Sequence, residues 1–342
     1  MIRLGIVNAE TWDFMSSLYP FLAATHETTV FAPATWRAPV FRERISRHQL
    51  SRDLGRFMRN HDVVFFEWAS ELLAQASRLP KTCPIVTRLH RYELYAWADR
   101  VNWDAVDRII LVSEAKRRAF VGQYPAQSHK TRVVPEGISV EQFDRARSPF
   151  SGSLGTLCHL TPRKRVYDLI LTTAPVLARH QRFHLHIGGD SEAAHRDYYD
   201  ALCHLVERLR LQSRVTFHGP VAKPWEWLAG IDVFISNSYS EGLQVAPMEA
   251  MASGCYTLAH EWDGADELLP PECLYLTADA LVDKIERFCG LSEADKDTER
   301  RAMRAISVER FDARRVNDRI GRIIESCVRN TPDDDDGSGR PA

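Results

Sequence analysis

The stretch Ser236–Glu267, SNSYSEGLQVAPMEAMASGCYTLAHEWDGADE, decides how the chain is read. The apolar run Ile231–Ile235 leads into it and gives way to a polar turn, Ser236–Ser240, with Gly242 directly after Glu241. Such a change marks a buried strand running out into a loop. Pro247 then stands at the expected first turn of a helix, Met248, Ala250, Met251 and Ala252 continue it, and Gly254 stands where it should stop. The segment predicts strand, loop, short helix, strand. A loop opening onto a helix N-terminus leaves backbone N–H groups unpaired and carries about half a positive charge, so it favours phosphate. Two carboxylates frame that position: Glu241 in the loop, and Glu249 in what the pattern makes the helix's first turn. A carboxylate accepts both hydroxyls of a vicinal diol, which suits sugars and ribose. The plainer alternative has Glu249 complementing the helix dipole and Glu241 as a solvated loop acid, worth about 0.3–1 kcal/mol each.

On either side of this stretch, short apolar runs alternate with longer helical patterns. Before it the strands are Ile2–Val7, Thr28–Ala32, Val63–Phe66, Ile85–Leu89, Ile109–Val112 and Arg132–Val134. In the second half they are Leu154–Cys158, Phe183–Ile187, Val215–Phe217, Ile231–Ile235, Tyr256–Ala259 and Leu274–Leu276, with long helical patterns at Ala193–Leu211 and Ala313–Val328. The alternation predicts an α/β protein with parallel sheets covered by helices on both faces. The chain's 342 residues suffice for two domains. The polar segment Asp144–Ser153, with Pro149 and Gly152, is the candidate boundary, giving domains 1–148 and 149–330 and a disordered acidic tail, 331–342. The last long helical pattern is expected to pack back on the first domain. Asp333–Asp336 reads as solvated charge rather than a metal motif.

A net charge of −2 gives no reason to expect nucleic acid as a partner. The seven cysteines are scattered without a C-x-x-C pair and read as reduced thiols of a cytosolic protein. No apolar run approaches the roughly 18 residues of a membrane span. Trp36–Arg59 is rich in Arg with interspersed apolar residues. It is either a solvated basic surface or a segment resting on anionic lipid at the inner face of a membrane. His184 and His186 alternate onto one strand face at a spacing also seen in metal sites, but no carboxylate or Cys follows at ligand spacing, so they read as strand residues. G-x-S-x-G, Walker A and G-x-G-x-x-G patterns are all missing, which leaves serine hydrolase, P-loop and ordinary dehydrogenase readings unsupported.

Glu241, seven residues, Glu249, then Ala-Met-Ala-Ser-Gly and Gly264-x-x-Glu267 resemble the donor-sugar signature of family 4 retaining glycosyltransferases of the GT-B fold. The resemblance runs over Leu154–Leu269 and is weaker over the first 130 residues. It implies two doubly wound, Rossmann-like domains facing each other across a cleft, the first on the acceptor side, the second binding the nucleotide-sugar. It implies that Glu241 contacts the transferred sugar, Glu249 the ribose, and that backbone around Gly242, Leu243, Gln244, Val245 and Ala246 reaches the phosphates. In HLTPRKRVYDLI, His159–Ile170, it implies an Arg and a Lys that neutralise the donor diphosphate. Lys164 matches the Lys. His159 stands where the Arg is expected, so Arg163 or Arg165 substitutes, or His159 donates a weaker bond. The alternative is a water-exposed basic helix start. His90, after the strand PIVTRL, matches a family His near the transferred sugar, whereas a lone strand-end His is otherwise structural. Its neighbours Arg88 and Arg91 either meet an anionic acceptor or pair with Glu93. After the first strand the family has a glycine-rich loop. This chain has VNAETWDFMS, so Glu10, Trp12 and Asp13 become the acceptor-binding candidates. VVPEGISVEQF, Val133–Phe143, resembles the family's interdomain segment but carries Glu136 where Asn is usual.

The resulting expectation is a metal-independent, cofactor-free glycosyltransferase. It moves a sugar from a UDP- or GDP-linked donor to a glycan, lipid-linked or small-molecule acceptor, as in surface polysaccharide assembly, in the cytoplasm or peripheral to the inner membrane face. Two alternatives share the fold: a nucleotide-binding subunit without turnover, and a nucleotide-sugar epimerase.

Overall fold

A computed structural model of the chain describes residues 1–32, 42–147, 149–191 and 193–329. The predicted tail, 331–342, and the start of the Arg-rich segment lie outside the described residues. All twelve expected strands form. In chain order they are β1 Arg3–Val7, β2 Glu27–Val30, β3 Val63–Phe66, β4 Ile85–Leu89, β5 Arg108–Leu111 and β6 Thr131–Val133, then β7 Ser153–Leu157, β8 His184–Gly188, β9 Val215–Gly219, β10 Val233–Ser236, β11 Tyr256–His260 and β12 Leu274–Tyr275. They build two six-stranded sheets, ordered β2-β1-β3-β4-β5-β6 and β12-β11-β10-β7-β8-β9. Every pairing in both is parallel.

The reason lies in the strands' own residues. β3 and β4 are buried at every position, as strands covered on both faces must be. Alternate side chains then feed two cores. Val64, Phe66, Ile85 and Leu89 enter one, and Val63, Phe65, Val86 and Ile110 the other.

The chain divides into two compact units. One contains residues 1–137 and the helix Ala313–Arg329, the other Ile138–Asp312. The C-terminal helix gives Val316, Ile320, Ile323 and Ile324 to the core that holds Leu4, Ile6 and Val63, each worth roughly 1.5–3 kcal/mol when buried. The division at 137/138 precedes the expected boundary at 148/149. The residues Asp144–Ala146 are exposed on the second unit, and the amides of Ser151, Gly152 and Ser153 all reach Asp232 Oδ2, at 2.9–3.1 Å. The chain enters and leaves the second unit side by side, the Ile138 amide donating to the Phe311 carbonyl at 2.8 Å. Gly137 is needed at that crossing, since a Cβ there would lie 2.9 Å from the Ala313 Cα.

The described part of the Arg-rich segment forms the helix Arg42–Arg59. Leu54 and Met58 enter the core, while Arg52, Arg56 and Arg59 are exposed. Among the described residues no helix is long and apolar enough to cross a membrane.

Candidate functional site

In the second sheet, strand order runs outward in opposite directions from the neighbours β7 and β10. The carboxyl ends of two such neighbouring strands are the position where doubly wound folds hold ligands. The loops after these strands contain the residues singled out from sequence. The Lys164 ammonium donates to Glu241 Oε1 at 2.7 Å, and Arg163 Nη1 approaches the same oxygen to 2.6 Å. Arg163 also donates to the Ser240 carbonyl at 2.9 Å, and Asn237 Nδ2 to the Arg165 carbonyl at 2.9 Å. Tyr275 in turn donates its hydroxyl to Asn237 Oδ1 at 2.8 Å. Glu241 is 7% exposed. Burial pushes its carboxyl up, but Lys164 and Arg163 outweigh this and hold it below the usual carboxylate range.

Arg165 adopts a left-handed backbone, φ 51° and ψ 38°, between the turn Pro162–Lys164 and the helix Val166–Arg179. For a residue with a Cβ this costs roughly 1–2 kcal/mol. The reversal turns the chain from the cationic loop straight into the helix, and Asn237 holds its carbonyl.

The predicted short helix is Val245–Ala252, closed by Gly254 at φ 71°. Its N-cap, Gln244, makes no side-chain capping bond. The first N–H groups, those of Val245 and Ala246, therefore have no side-chain acceptor from the cap and no intrahelical one. Pro247 contributes no N–H. Gln244 is instead spent within the loop, accepting from Ser236 Oγ at 2.5 Å and donating to Ser238 Oγ at 3.0 Å and Glu241 Oε1 at 2.9 Å. Glu249 lies beyond the first turn, correcting the expected placement. Its side chain is half-buried and makes no hydrogen bond or ion pair among the described residues, and burial pushes its carboxyl up to about 7.

In the first sheet the strand order reverses between β1 and β3, and the residues after these strands and β4 cluster at their carboxyl ends. His90 Nε2 lies 3.1 Å from Glu67 Oε1, and Nδ1 lies 3.2 Å from Glu136 Oε1. The ring stacks on Trp68 with centroids 4.2 Å apart and an interplanar angle of 29°, and leans on Phe14 at 4.9 Å. Burial pushes the imidazole down. Its bonds to Glu136 and Glu67 outweigh that and raise it to about 10, so His90 is an imidazolium. Arg88 is buried in β4 and donates to Glu67 at 2.6 Å, to Glu136 at 3.0 Å and to the Phe14 carbonyl at 3.1 Å. Two cations and two carboxylates thus neutralise one another in the interior.

The family description Glycosyltransferase Family 4 matches residues 15–142, and Glycosyl transferases group 1 matches residues 151–290. This chain belongs to the family 4 glycosyltransferases. It is 28% identical over 173 residues to the alpha-monoglucosyldiacylglycerol synthase of Streptococcus pneumoniae, a match covering 45% of this chain and 37% of that protein. It is 28% identical over 180 residues to the D-inositol 3-phosphate glycosyltransferase of Corynebacterium jeikeium, covering 47% of this chain and 42% of that one. The matched stretch thus spans less than half the length of either relative. Among solved structures, Anabaena HepE in complex with UDP and glucose superposes with a TM-score of 0.77 at 18% identity, over 95% of this chain and all of that one. The sucrose-phosphate synthase of Thermosynechococcus elongatus gives 0.77 at 16% identity, over 97% of this chain and 100% of its own. The fold is GT-B.

Against this family pattern, the structure brings Lys164, Arg163 and Glu241 together and sets Glu249 in the helix that follows. His159 is exposed, and its imidazole makes no hydrogen bond or ion pair among the described residues. Arg165 pairs weakly with Asp168, at 3.4 Å. Arg88 corrects the expectation of an acceptor-facing cation, because its side chain is 2% exposed and its donors are committed to Glu67 and Glu136 rather than Glu93. Arg91 lies over the Tyr95 ring at 5.3 Å. Glu10, Trp12 and Asp13 lie on the loop after β1. Glu10 accepts from the Tyr92 hydroxyl, Asp13 accepts from Thr11 at 2.6 Å, and Trp12 is 42% exposed.

Sequence reading missed Glu67, Trp68 and Asn237. Glu67 carried a signal, a carboxylate directly after four buried apolar positions, and Arg88 inside a parallel strand called for such a partner. His184 and His186 do sit on one face, joined by His218, whose Nε2 is 3.0 Å from His186 Nδ1. No group of three metal-ligating side chains fit to hold an ion occurs among the described residues.

Proposed function

We propose that this chain transfers a glycosyl group from a nucleoside diphosphate sugar to an acceptor hydroxyl with retention at the anomeric carbon, in the assembly of a surface polysaccharide or other glycoconjugate. UDP leads the donor candidates, since HepE is described with UDP and glucose, and GDP follows. The carrying observation is Glu249, an unpaired, half-buried carboxylate in a helix whose first amides are uncapped, with Lys164, Arg163 and Glu241 in the loops alongside. In this reading Glu249 accepts the two ribose hydroxyls and the first amides of Val245 and Ala246 receive phosphate oxygens.

Lys164 and Arg163 then exchange the Glu241 carboxylate for the diphosphate. The exchange frees Glu241 to accept a hydroxyl of the sugar. It also sets two cations where negative charge grows as the diphosphate departs, an interaction that strengthens toward the transition state. These cations and the helix start supply the countercharge, so the reading calls for no metal. His90, an imidazolium with both ring nitrogens on Glu67 and Glu136, is assigned no base role in this reading. The exposed loop after β1, with Glu10, Trp12 and Asp13, is assigned to the acceptor.

The test is a panel of UDP-, GDP-, ADP- and dTDP-sugars with glycan, lipid-linked and small-molecule acceptors, the product linkage being read by NMR. The expected product keeps the donor's anomeric configuration. An inverted linkage overturns retention. Sugar interconversion without acceptor identifies an epimerase, and tight nucleotide binding without turnover identifies a binding subunit.

A further inference from the structure

At the opposite end of the helix Val245–Ala252 from the donor candidates, the second unit holds an open cavity of about 530 Å³. Its walls are Phe143–Arg145, Arg147 and Pro149, the helix end Ala252–Gly254 and the helix Glu293–Phe311. Arg145, Arg147, Arg300, Arg301 and Arg304 line it. The nearby carboxylates are accounted for one by one. Asp144 pairs with Arg304 at 3.0 Å and Glu293 with Lys296 at 2.8 Å. Asp297 lies 3.4 Å from Arg300. Asp232, behind the wall, takes Arg300 at 2.8 Å together with the amides of Ser151–Ser153.

Three guanidinium groups have no carboxylate closer than 4.0 Å among the described residues. Arg147 donates to the carbonyls of Ser253, at 2.8 Å, Leu228 and Ile231, and comes only to 4.0 Å from Asp232. Arg301 donates to the Thr298 hydroxyl at 3.0 Å. Arg145 makes no side-chain hydrogen bond or ion pair among the described residues. Arg147 Nε, Arg300 Nε and Ser253 Oγ are moreover buried without hydrogen-bond partners. The cavity wall carries five arginines against the three carboxylates Asp144, Glu293 and Asp297, and an anionic acceptor is the ligand such a wall fits.

We propose that this cavity binds a small oxyanion, a phosphate ester or a carboxylate, at a site separate from the donor crevice. Arginine suits such a ligand because its planar fork matches phosphate and carboxylate oxygens in pairs. Arg304 also donates to the Ala252 carbonyl and Arg147 to that of Ser253. The ligand would therefore bear on the last turn of the helix whose first turn faces the donor, roughly 12 Å away by helix rise. The proposal rests on the cavity's charges and does not depend on the donor assignment.

It is tested with the full chain at constant ionic strength, against chloride, by calorimetry with inorganic phosphate, glycerol 3-phosphate and citrate. The variants are R145Q/R301Q, at two exposed positions, and K164Q, which removes a donor-crevice cation. Binding by at least one probe is expected, kept in K164Q and weakened tenfold or more in R145Q/R301Q, with UDP affinity unchanged in the latter. A tighter phosphate ester assigns the first ligand class, a tighter citrate the second. No binding beyond chloride, or binding lost in K164Q and kept in R145Q/R301Q, overturns the proposal.

Discussion

Arg88 and His90 are charged residues in the interior of a parallel sheet. Their cost is met by Glu67 and Glu136, at 2.6–3.2 Å. Glu136, the departure from the family's usual Asn, is the compensating charge, held below the ordinary carboxylate range by Arg88 and His90 against burial. Removing one partner from such a set leaves a buried charge exposed to no counterion, at about 3–5 kcal/mol. His90→Ala is therefore expected to lower stability by about 3 kcal/mol near neutral pH. Because the folded imidazole titrates near 10 and an unfolded one near about 6.5, this contribution is full below the lower value and lost as pH rises through the upper. Urea midpoints of wild type and His90→Ala should converge between neutral pH and pH 10, whereas a constant gap contradicts the imidazolium. From sequence, His90 showed its position at a strand end but not its charge, because the partners Glu67 and Glu136 lie far from it along the chain.

The loop carrying Arg163 and Lys164 is fixed at its root by β8. The Cys158 amide donates to the Gly188 carbonyl at 3.1 Å and the Leu160 amide to the Asp190 carbonyl at 2.8 Å. Between them Gly189, at φ 121°, leaves no room for a side chain, since a Cβ would lie 1.8 Å from the Cys158 carbonyl oxygen. Gly189→Ala must displace the loop root, and a loss of about 2 kcal/mol or more is expected, with weaker nucleotide binding by calorimetry. Gly219→Ala, also at positive φ but in open space, is the control for backbone strain alone and should cost about 1 kcal/mol without the affinity loss. Equal nucleotide affinity in both variants would contradict the loop's role. At this scale the strands were legible because strands buried on both faces are plain apolar runs. The helix Val245–Ala252 was legible through Pro247 and Gly254, but its start was not. Gln244 is not a usual capping residue, so Glu249 was placed a turn too early.

Across the molecule, each unit repeats one device: a parallel sheet whose strand order reverses beside its first strand, with the chemistry-bearing loops at the carboxyl ends. That repetition was readable from the alternation of runs. The division of the chain was not, because the residues Asp144–Ala146 are an exposed surface of the second unit rather than a linker between the two. The return of Ala313–Arg329 to the first unit was legible only as an expectation of packing, and the core of Val316, Ile320, Ile323 and Ile324 accounts for it.

The central claim is that Glu249, as a carboxylate, grips the nucleotide. Its carboxyl titrates near 7 because of burial. An ionised group accepts a hydroxyl at each oxygen, whereas a protonated one turns one oxygen into a donor and accepts the pair less well. Affinity for UDP should therefore rise with pH through that value. The deciding measurement is calorimetric titration of UDP across this range for wild type and Glu249→Gln. The account predicts tighter wild-type binding toward high pH and, for the variant, weaker binding with no such slope. A variant that keeps the wild-type affinity and the same pH dependence contradicts it.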